Sequence, residues 1–108
     1  MRTPIVFLGS SLDDLRDFPD DARRDAGFQL DKVQQGEPPD DWRPLARVGP
    51  GACEIRVRDE SGIYRVIYVA RFAEAVYVLH AFQKKTQRTS LHAVELARKR
   101  YQLLRSRR

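Results

Sequence analysis

The sequence predicts an α+β domain in the order β-α-α-β-β-β-α, an antiparallel meander sheet packed against an N-terminal helical hairpin and a C-terminal helix. Apolar residues recur every three or four positions near both ends of the chain, as in helices, whereas residues 53–82 form β-rich runs separated by turn-forming residues. A length of 108 residues allows one modest core, so we expect a single domain over residues 1–108. We expect the helices to cover one face of the sheet.

The N-terminal third predicts a strand followed by two helices. Residues 4–8 are a short β-rich run that ends at Gly9. Ser10 or Ser11 can cap a short helix, and Pro19 interrupts it and suits the first turn of the next helix. That second helix ends at Gly36, and its apolar positions are spaced by four, four and three: Ala22, Ala26, Leu30 and Val33.

Residues 36–51 contain several Pro and Gly residues and predict a loop. We expect this loop to bring Trp42 and Leu45 back onto the core. The alternative is an exposed Trp42 that binds a partner.

The next segment predicts three consecutive antiparallel strands. In residues 53–57 apolar side chains alternate with Glu54 and Arg56, and residues 59–62 are typical of a turn. Residues 63–70 are apolar on both faces except at Arg65, and residues 75–82 are apolar except at His80. The last helix begins after a cap at Thr89 or Ser90, and its apolar stripe is Leu91, Val94, Ala97, Tyr101 and Leu104.

Charge is segregated along the chain. Residues 1–42 hold five Lys and Arg against ten Asp and Glu, whereas residues 43–108 hold fifteen against five, within a total net charge of +5. The basic part therefore predicts where a polyanion binds. Cys53 is the single cysteine, so it forms no internal disulfide, and we interpret it as a small apolar strand residue. We expect no secretory signal, no membrane span and a cytoplasmic location.

Basic side chains from separate strands predict a concavity suited to an RNA phosphate backbone. Arg forks match phosphate oxygens, and Lys supplies a mobile point charge. The candidates are Arg56, Arg58, Arg65, Lys84, Lys85 and Arg88. Arg65 is the most informative, because a charge in an apolar central strand is costly unless it is paired or reaches water. The alternative for Arg65 is a structural salt bridge to Glu54.

Two histidines are candidates for acid–base chemistry. His80 lies among apolar strand residues and is either a core histidine or a proton shuttle, while His92 starts a helix and is expected to be exposed. Further candidate RNA contacts are Lys99, Arg105, Arg107 and Arg108. The sequence contains no glycine-rich phosphate loop, nucleophile elbow or metal-spaced His pair, so we expect no metal and no cofactor.

Four segments of the sequence resemble RelE/HigB toxins, in particular the phage-derived Gp49-like branch of the RelE/ParE superfamily. They are Glu54-Ile55-Arg56, Tyr64-Arg65-Val66-Ile67-Tyr68, residues 79–86 (LHAFQKKT) and residues 95–100 (ELARKR). The resemblance covers essentially the whole chain and also implies the RelE fold.

The resemblance implies a toxin silenced by a HigA-like helix-turn-helix antitoxin and, once released, a ribosome-dependent endonuclease that cuts mRNA by metal-free attack of a 2′-OH on the phosphate. By position, Arg56, Arg65, Lys84 and Lys85 match the basic residues of the family. RelE proper has a lysine where Glu54 stands, and its C-terminal tyrosine has no counterpart here. The general base therefore stays open between His80 and His92.

Two other functions remain open at this point. ParE-type relatives share the scaffold and inhibit DNA gyrase without cutting RNA. An inactive prophage-derived protein that only binds its antitoxin is the third possibility.

Overall fold

The computed structural model describes residues 2–84 and 90–107 and has three helices and five strands within those ranges. The elements are β1 (Ile5–Phe7), α1 (Ser11–Arg16), α2 (Asp20–Gln34), β2 (Trp42–Pro44), β3 (Ala52–Asp59), β4 (Gly62–Val69), β5 (Val76–Gln83) and α3 (Leu91–Ser106). The strands form one sheet in the order β1-β5-β4-β3-β2. The predicted α+β fold and its antiparallel meander are thereby confirmed.

The sheet has two features that the sequence did not predict. The strand β2 lies within the segment that its Pro and Gly content predicted as a loop, and it pairs antiparallel with β3. The strand β1 forms the edge opposite β2 and pairs in parallel with β5, so the sheet is mixed.

Helices cover both faces of the sheet, so the expectation of one covered face was wrong. The hairpin of α1 and α2 packs on side chains such as Ile55 and Val66, whereas α3 packs on Ile67 and Leu79. Neighbouring strand residues point to opposite faces, so β4, which is apolar on both faces except at Arg65, has to be covered on both. That double coverage explains why its residues 64–69 are all buried.

Local signals fix the start of α3 and the end of α2 where the sequence predicted them, whereas Ser10 at the start of α1 forms no capping hydrogen bond through its side chain and donates to the Asp14 carboxylate instead. The Ser90 side chain accepts a hydrogen bond from the Ala93 amide at 3.0 Å and caps α3. Gly36, with φ of +83°, follows the C-cap of α2 in the left-handed conformation that favours glycine.

The 36–51 segment treats its two large apolar residues differently. Leu45 is buried as expected, but the Trp42 side chain remains 42% exposed. The expectation of a core Trp42 was wrong because the residue lies on the short edge strand β2, beyond which no further strand covers it within the described ranges. Cys53 lies half-buried in β3, in agreement with its strand assignment.

Candidate nucleic-acid-binding site

A set of charged residues lies on one face of β2, β3 and β4. The register places Arg56 directly opposite Arg65 and Arg43 directly opposite Glu54. Because Ile55 contacts the hairpin helices, its neighbours in β3 point to the other face, where α3 packs. The fold thus brings Arg56 and Arg65 together, as the sequence predicted.

Arg65 and Glu54 form a fully buried ion pair through Nη1 and Oε1, with side chains 1% and 0% exposed. Burial lowers the pKa of the Arg65 guanidinium, and the Glu54 carboxylate opposes that shift. The expectation that Arg65 lines an open cleft was therefore wrong for this conformation, and the salt-bridge alternative is what the structure contains. A lone charge would be too costly at this depth, which explains the pairing.

Two partly exposed arginines, Arg43 and Arg56, lie beside the ion pair of Arg65 and Glu54. Arg43 Nε lies 3.0 Å from the same Glu54 oxygen, and its side chain is 41% exposed. The Arg56 side chain donates from Nε and Nη2 to Asp41 Oδ1 at 3.1 and 2.9 Å and is 30% exposed. Sequence reasoning missed Arg43, because the alternation Trp42-Arg43-Pro44 is too short to predict a strand.

Lys84 completes this group at the end of β5. Its backbone amide donates to the Ile63 carbonyl at 2.8 Å, which ties it to the start of β4. Partial removal from water lowers the pKa of Lys84, and the positive charges of Arg65, Arg56 and Arg43 lower it further. We call Arg43, Arg56, Arg65 and Lys84 the basic cluster; with Asp41 and Glu54 its net charge is +2.

The two candidate histidines line a cleft of about 540 Å³ that ends at Gln83, the neighbour of Lys84. His80 is 9% exposed and stacks on Phe82 with ring centroids 5.0 Å apart. Burial and the positive charge of Arg100 lower the pKa of His80 to about 4. His80 Nδ1 lies 4.0 Å from a carboxylate oxygen of Asp14 and hydrogen-bonds to none of the described residues. A neutral imidazole thus borders the cleft.

The other predicted contacts are Arg58, which pairs with Ile63 next to Lys84, residues along α3, and residues outside the described ranges. Arg58 is exposed at the end of β3, on the same face as Arg56. His92 is exposed at the start of α3, as expected, and three more exposed residues follow along this helix: Lys99, Arg105 and Arg107. Three further candidates lie outside the described residues: Lys85, Arg88 and Arg108.

Neither a metal site nor a membrane span is found within the described ranges. No group of three or more His, Cys, Asp or Glu residues there could hold a metal ion. No helix there is long and apolar enough to cross a bilayer. Burial raises the pKa of the Cys53 thiol, so this residue is a poor metal ligand at neutral pH.

The sequence matches a protein-family description, that of the phage-derived Gp49-like proteins (DUF891), over residues 13–102. The chain belongs to the Gp49-like family. The match includes all of the basic cluster and both candidate histidines. No curated protein matches this Gp49-like chain.

Two solved structures share the fold of this Gp49-like chain at low sequence identity. An arginine-to-alanine double mutant of the Escherichia coli toxin RelE in the free state has a TM-score of 0.66 at 15% identity, covering 96% of this chain and 99% of that one. A chain of the toxin–antitoxin complex RelBE2 from Mycobacterium tuberculosis has a TM-score of 0.54 at 18% identity, covering 78% of this chain and 100% of that one. The Gp49-like chain therefore has a RelE-like fold.

Proposed function

We propose that this protein is the toxin of a toxin–antitoxin pair and that it cleaves mRNA on the ribosome in the cytoplasm. The observation that carries this proposal is the basic cluster, in which Lys84 lies beside three arginines and has a lowered pKa. The RelE-like fold supports the toxin assignment, since RelE and the RelBE2 complex are described as a toxin and a toxin–antitoxin complex.

The reaction that suits such a cluster is an internal transfer at the RNA phosphate. A ribose 2′-oxygen attacks the adjacent phosphorus, the bond from phosphorus to the 5′-oxygen breaks, and a 2′,3′-cyclic phosphate and a 5′-hydroxyl result. The 2′-hydroxyl proton passes to a base, and an acid protonates the leaving 5′-oxygen. Negative charge that builds up on the phosphate in the transition state is stabilised by preorganised cations.

Each residue of the basic cluster has a role suited to its exposure. Arg43 and Arg56 are partly exposed and can donate to phosphate oxygens, which compete with Glu54 and Asp41 for their guanidinium groups. Lys84 is the proton donor, because a cationic environment favours loss of its proton. Arg65 is a positioning residue in this conformation: it holds Glu54, which in turn orients Arg43.

The proton acceptor is one of the two histidines of the neighbouring cleft. His80 is neutral at pH 7 because its pKa is about 4, and the residue lines the cleft, although its Nδ1 is buried. His92 lines the same cleft and is exposed. Lys85 stays a predicted member of the catalytic group, and the further RNA contacts proposed are Arg58, Arg88, Lys99, Arg105, Arg107 and Arg108.

The proposed partner is a helix-turn-helix antitoxin of the HigA type. It silences the toxin until it is removed. The acidic N-terminal third and the basic remainder of the chain offer it two surfaces of opposite charge.

Controlled expression with mapping of RNA ends tests the proposal. Expression should arrest growth and produce new mRNA ends bearing 5′-hydroxyl groups, and both Lys84→Ala and Arg56→Ala should relieve the arrest. The control is Arg24→Ala, which removes an exposed cation from α2 and should remain toxic. Intact mRNA with DNA damage signalling would instead favour gyrase inhibition, and harmless expression would favour an inactive antitoxin-binding protein.

A further inference from the structure

A second group of cations lies at the end of the sheet opposite the basic cluster. Arg71 follows β4, and Arg105 lies in the last turn of α3. Together with Phe72 and Tyr101 they line a notch of about 210 Å³. Tyr101 and Arg105 are four residues apart, so they lie on the same side of α3.

The floor of this notch is held in place by packed aromatic rings. Tyr101 is buried, and its hydroxyl donates to the Pro50 carbonyl. The Phe72 ring lies 6.3 Å from the Tyr101 ring and 5.9 Å from the Tyr77 ring. The Arg71 guanidinium lies over Phe72, 5.8 Å from its centroid, in a cation–π contact that limits its freedom.

The arginines of the notch differ from those of the basic cluster in having no acidic partner among the described residues. Arg43, Arg56 and Arg65 each pair with a carboxylate. Within residues 2–84 and 90–107, by contrast, neither Arg71 nor Arg105 forms an ion pair.

The surroundings of the notch add more positive charge. Arg98 donates from Nε and Nη2 to the Arg47 carbonyl at 2.8 and 2.5 Å, which holds the turn of Arg47 against α3. Neither of these arginines forms an ion pair with a carboxylate of the described residues. Nearby Glu74 accepts a hydrogen bond from the Tyr77 hydroxyl at 2.9 Å. The like charges of these arginines repel one another, and an anion relieves that repulsion.

We propose that the notch is a second RNA phosphate site, in which Arg71 and Arg105 together bind a backbone phosphate. This inference rests on the proposed function, because it requires RNA as the ligand. Two planar guanidinium forks match phosphate oxygens.

The notch is too far from Lys84 for one phosphate to reach both. Arg71 follows the C-terminal end of β4, whereas Lys84 is hydrogen-bonded to Ile63 near its start. Eight strand residues separate these ends by about 23 Å. A dinucleotide thus binds one site only, whereas a longer RNA can bind both.

Binding measurements with two RNA lengths test this inference on the intact protein. Arg71→Gln/Arg105→Gln should weaken binding of a long single-stranded RNA by at least about tenfold. The slope of log K against log salt concentration should fall by about 0.7, because one phosphate contact on a single strand is lost. Binding of a dinucleotide at the basic cluster should stay unchanged.

Two further variants keep the result interpretable. Arg23→Gln/Arg24→Gln removes the same charge from α2 and should change neither affinity nor slope. Arg71→Lys/Arg105→Lys keeps the charge, so it should retain the slope but lose part of the affinity through the lost forks.

Three results would overturn the inference. One is a long-RNA affinity that is the same in the wild type and Arg71→Gln/Arg105→Gln. Another is an equal loss for the long RNA and the dinucleotide. A wild-type protein that binds neither RNA would overturn the proposed function as well, so the two failures are distinguishable.

Discussion

Removing Glu54 should destabilise the protein more than removing Arg65, although the two residues form one buried ion pair. Breaking such a pair from one side typically costs about 3–5 kcal/mol, because a buried charge loses its compensation. Glu54→Gln takes the carboxylate away from Arg65, which is 1% exposed and cannot lose its proton near neutral pH. Arg65→Met instead leaves Glu54 beside Arg43, at 3.0 Å, so its cost should lie at the lower end of that range.

The expected losses of folding free energy in these variants are large compared with the total stability of a domain of this size. Folded domains are stable by about 5–15 kcal/mol, so the loss of Glu54 removes a substantial fraction. In a chain of 108 residues, each kcal/mol corresponds to a change in Tm of about 4 °C. Glu54→Gln should therefore lower Tm by about 12–20 °C.

Thermal and urea unfolding followed by circular dichroism measure these effects, and Glu54→Leu/Arg65→Met is the comparison in which both buried charges are removed. The double variant should be more stable than Glu54→Gln, because it leaves no charge at the buried position. A Tm for Glu54→Gln within about 4 °C of the wild type would refute the reasoning. So would a double variant less stable than both single variants.

Three further predictions follow from the site and the fold. If Lys84 is the proton donor, the cleavage rate should decline as pH rises through its lowered pKa. Lys84→Arg keeps the charge but releases no proton near neutral pH, so it should cleave RNA far more slowly at all pH values. A wild-type rate in Lys84→Arg would exclude that role. The pKa of His80 is 6.5 in the unfolded chain and about 4 in the folded one. The free energy of unfolding should therefore keep its full His80 contribution above pH 6.5 and decline as pH falls towards 4, by at most about 3 kcal/mol. Urea unfolding at several pH values should show this decline in the wild type and in the His92→Asn control but not in His80→Phe. The single Trp42 should be readily quenched by acrylamide, and Trp42→Ala should cost less than about 2 kcal/mol, below the usual range for a core Trp; a shielded Trp42 would contradict its exposed position.

The local pattern of the sequence determined most of the secondary structure. Helix periodicity, the Ser90 cap and Gly36 placed α2 and α3, because these signals act over a few residues and need no tertiary context. The same holds for the meander, whose turn and apolar runs fixed β3, β4 and β5.

Only the tertiary structure decided what the local pattern left ambiguous. A strand such as β4, apolar on both faces except at Arg65, signals burial on both faces but does not say which helix covers which face. The three-residue β2 and the parallel pairing of β1 with β5 depend on partners far away in the sequence.

The basic cluster was likewise determined partly by the sequence pattern and partly by the tertiary structure. Sequence alone placed Arg56, Arg65 and Lys84 in one region, because strand alternation and the order of the meander determine the face and end of the sheet on which each lies. It could not decide whether Arg65 would bind RNA or Glu54, since both interpretations need the same residues in the same strands. That choice depends on burial, which is set by all of the elements packed around the pair, and on the edge strand that brings in Arg43.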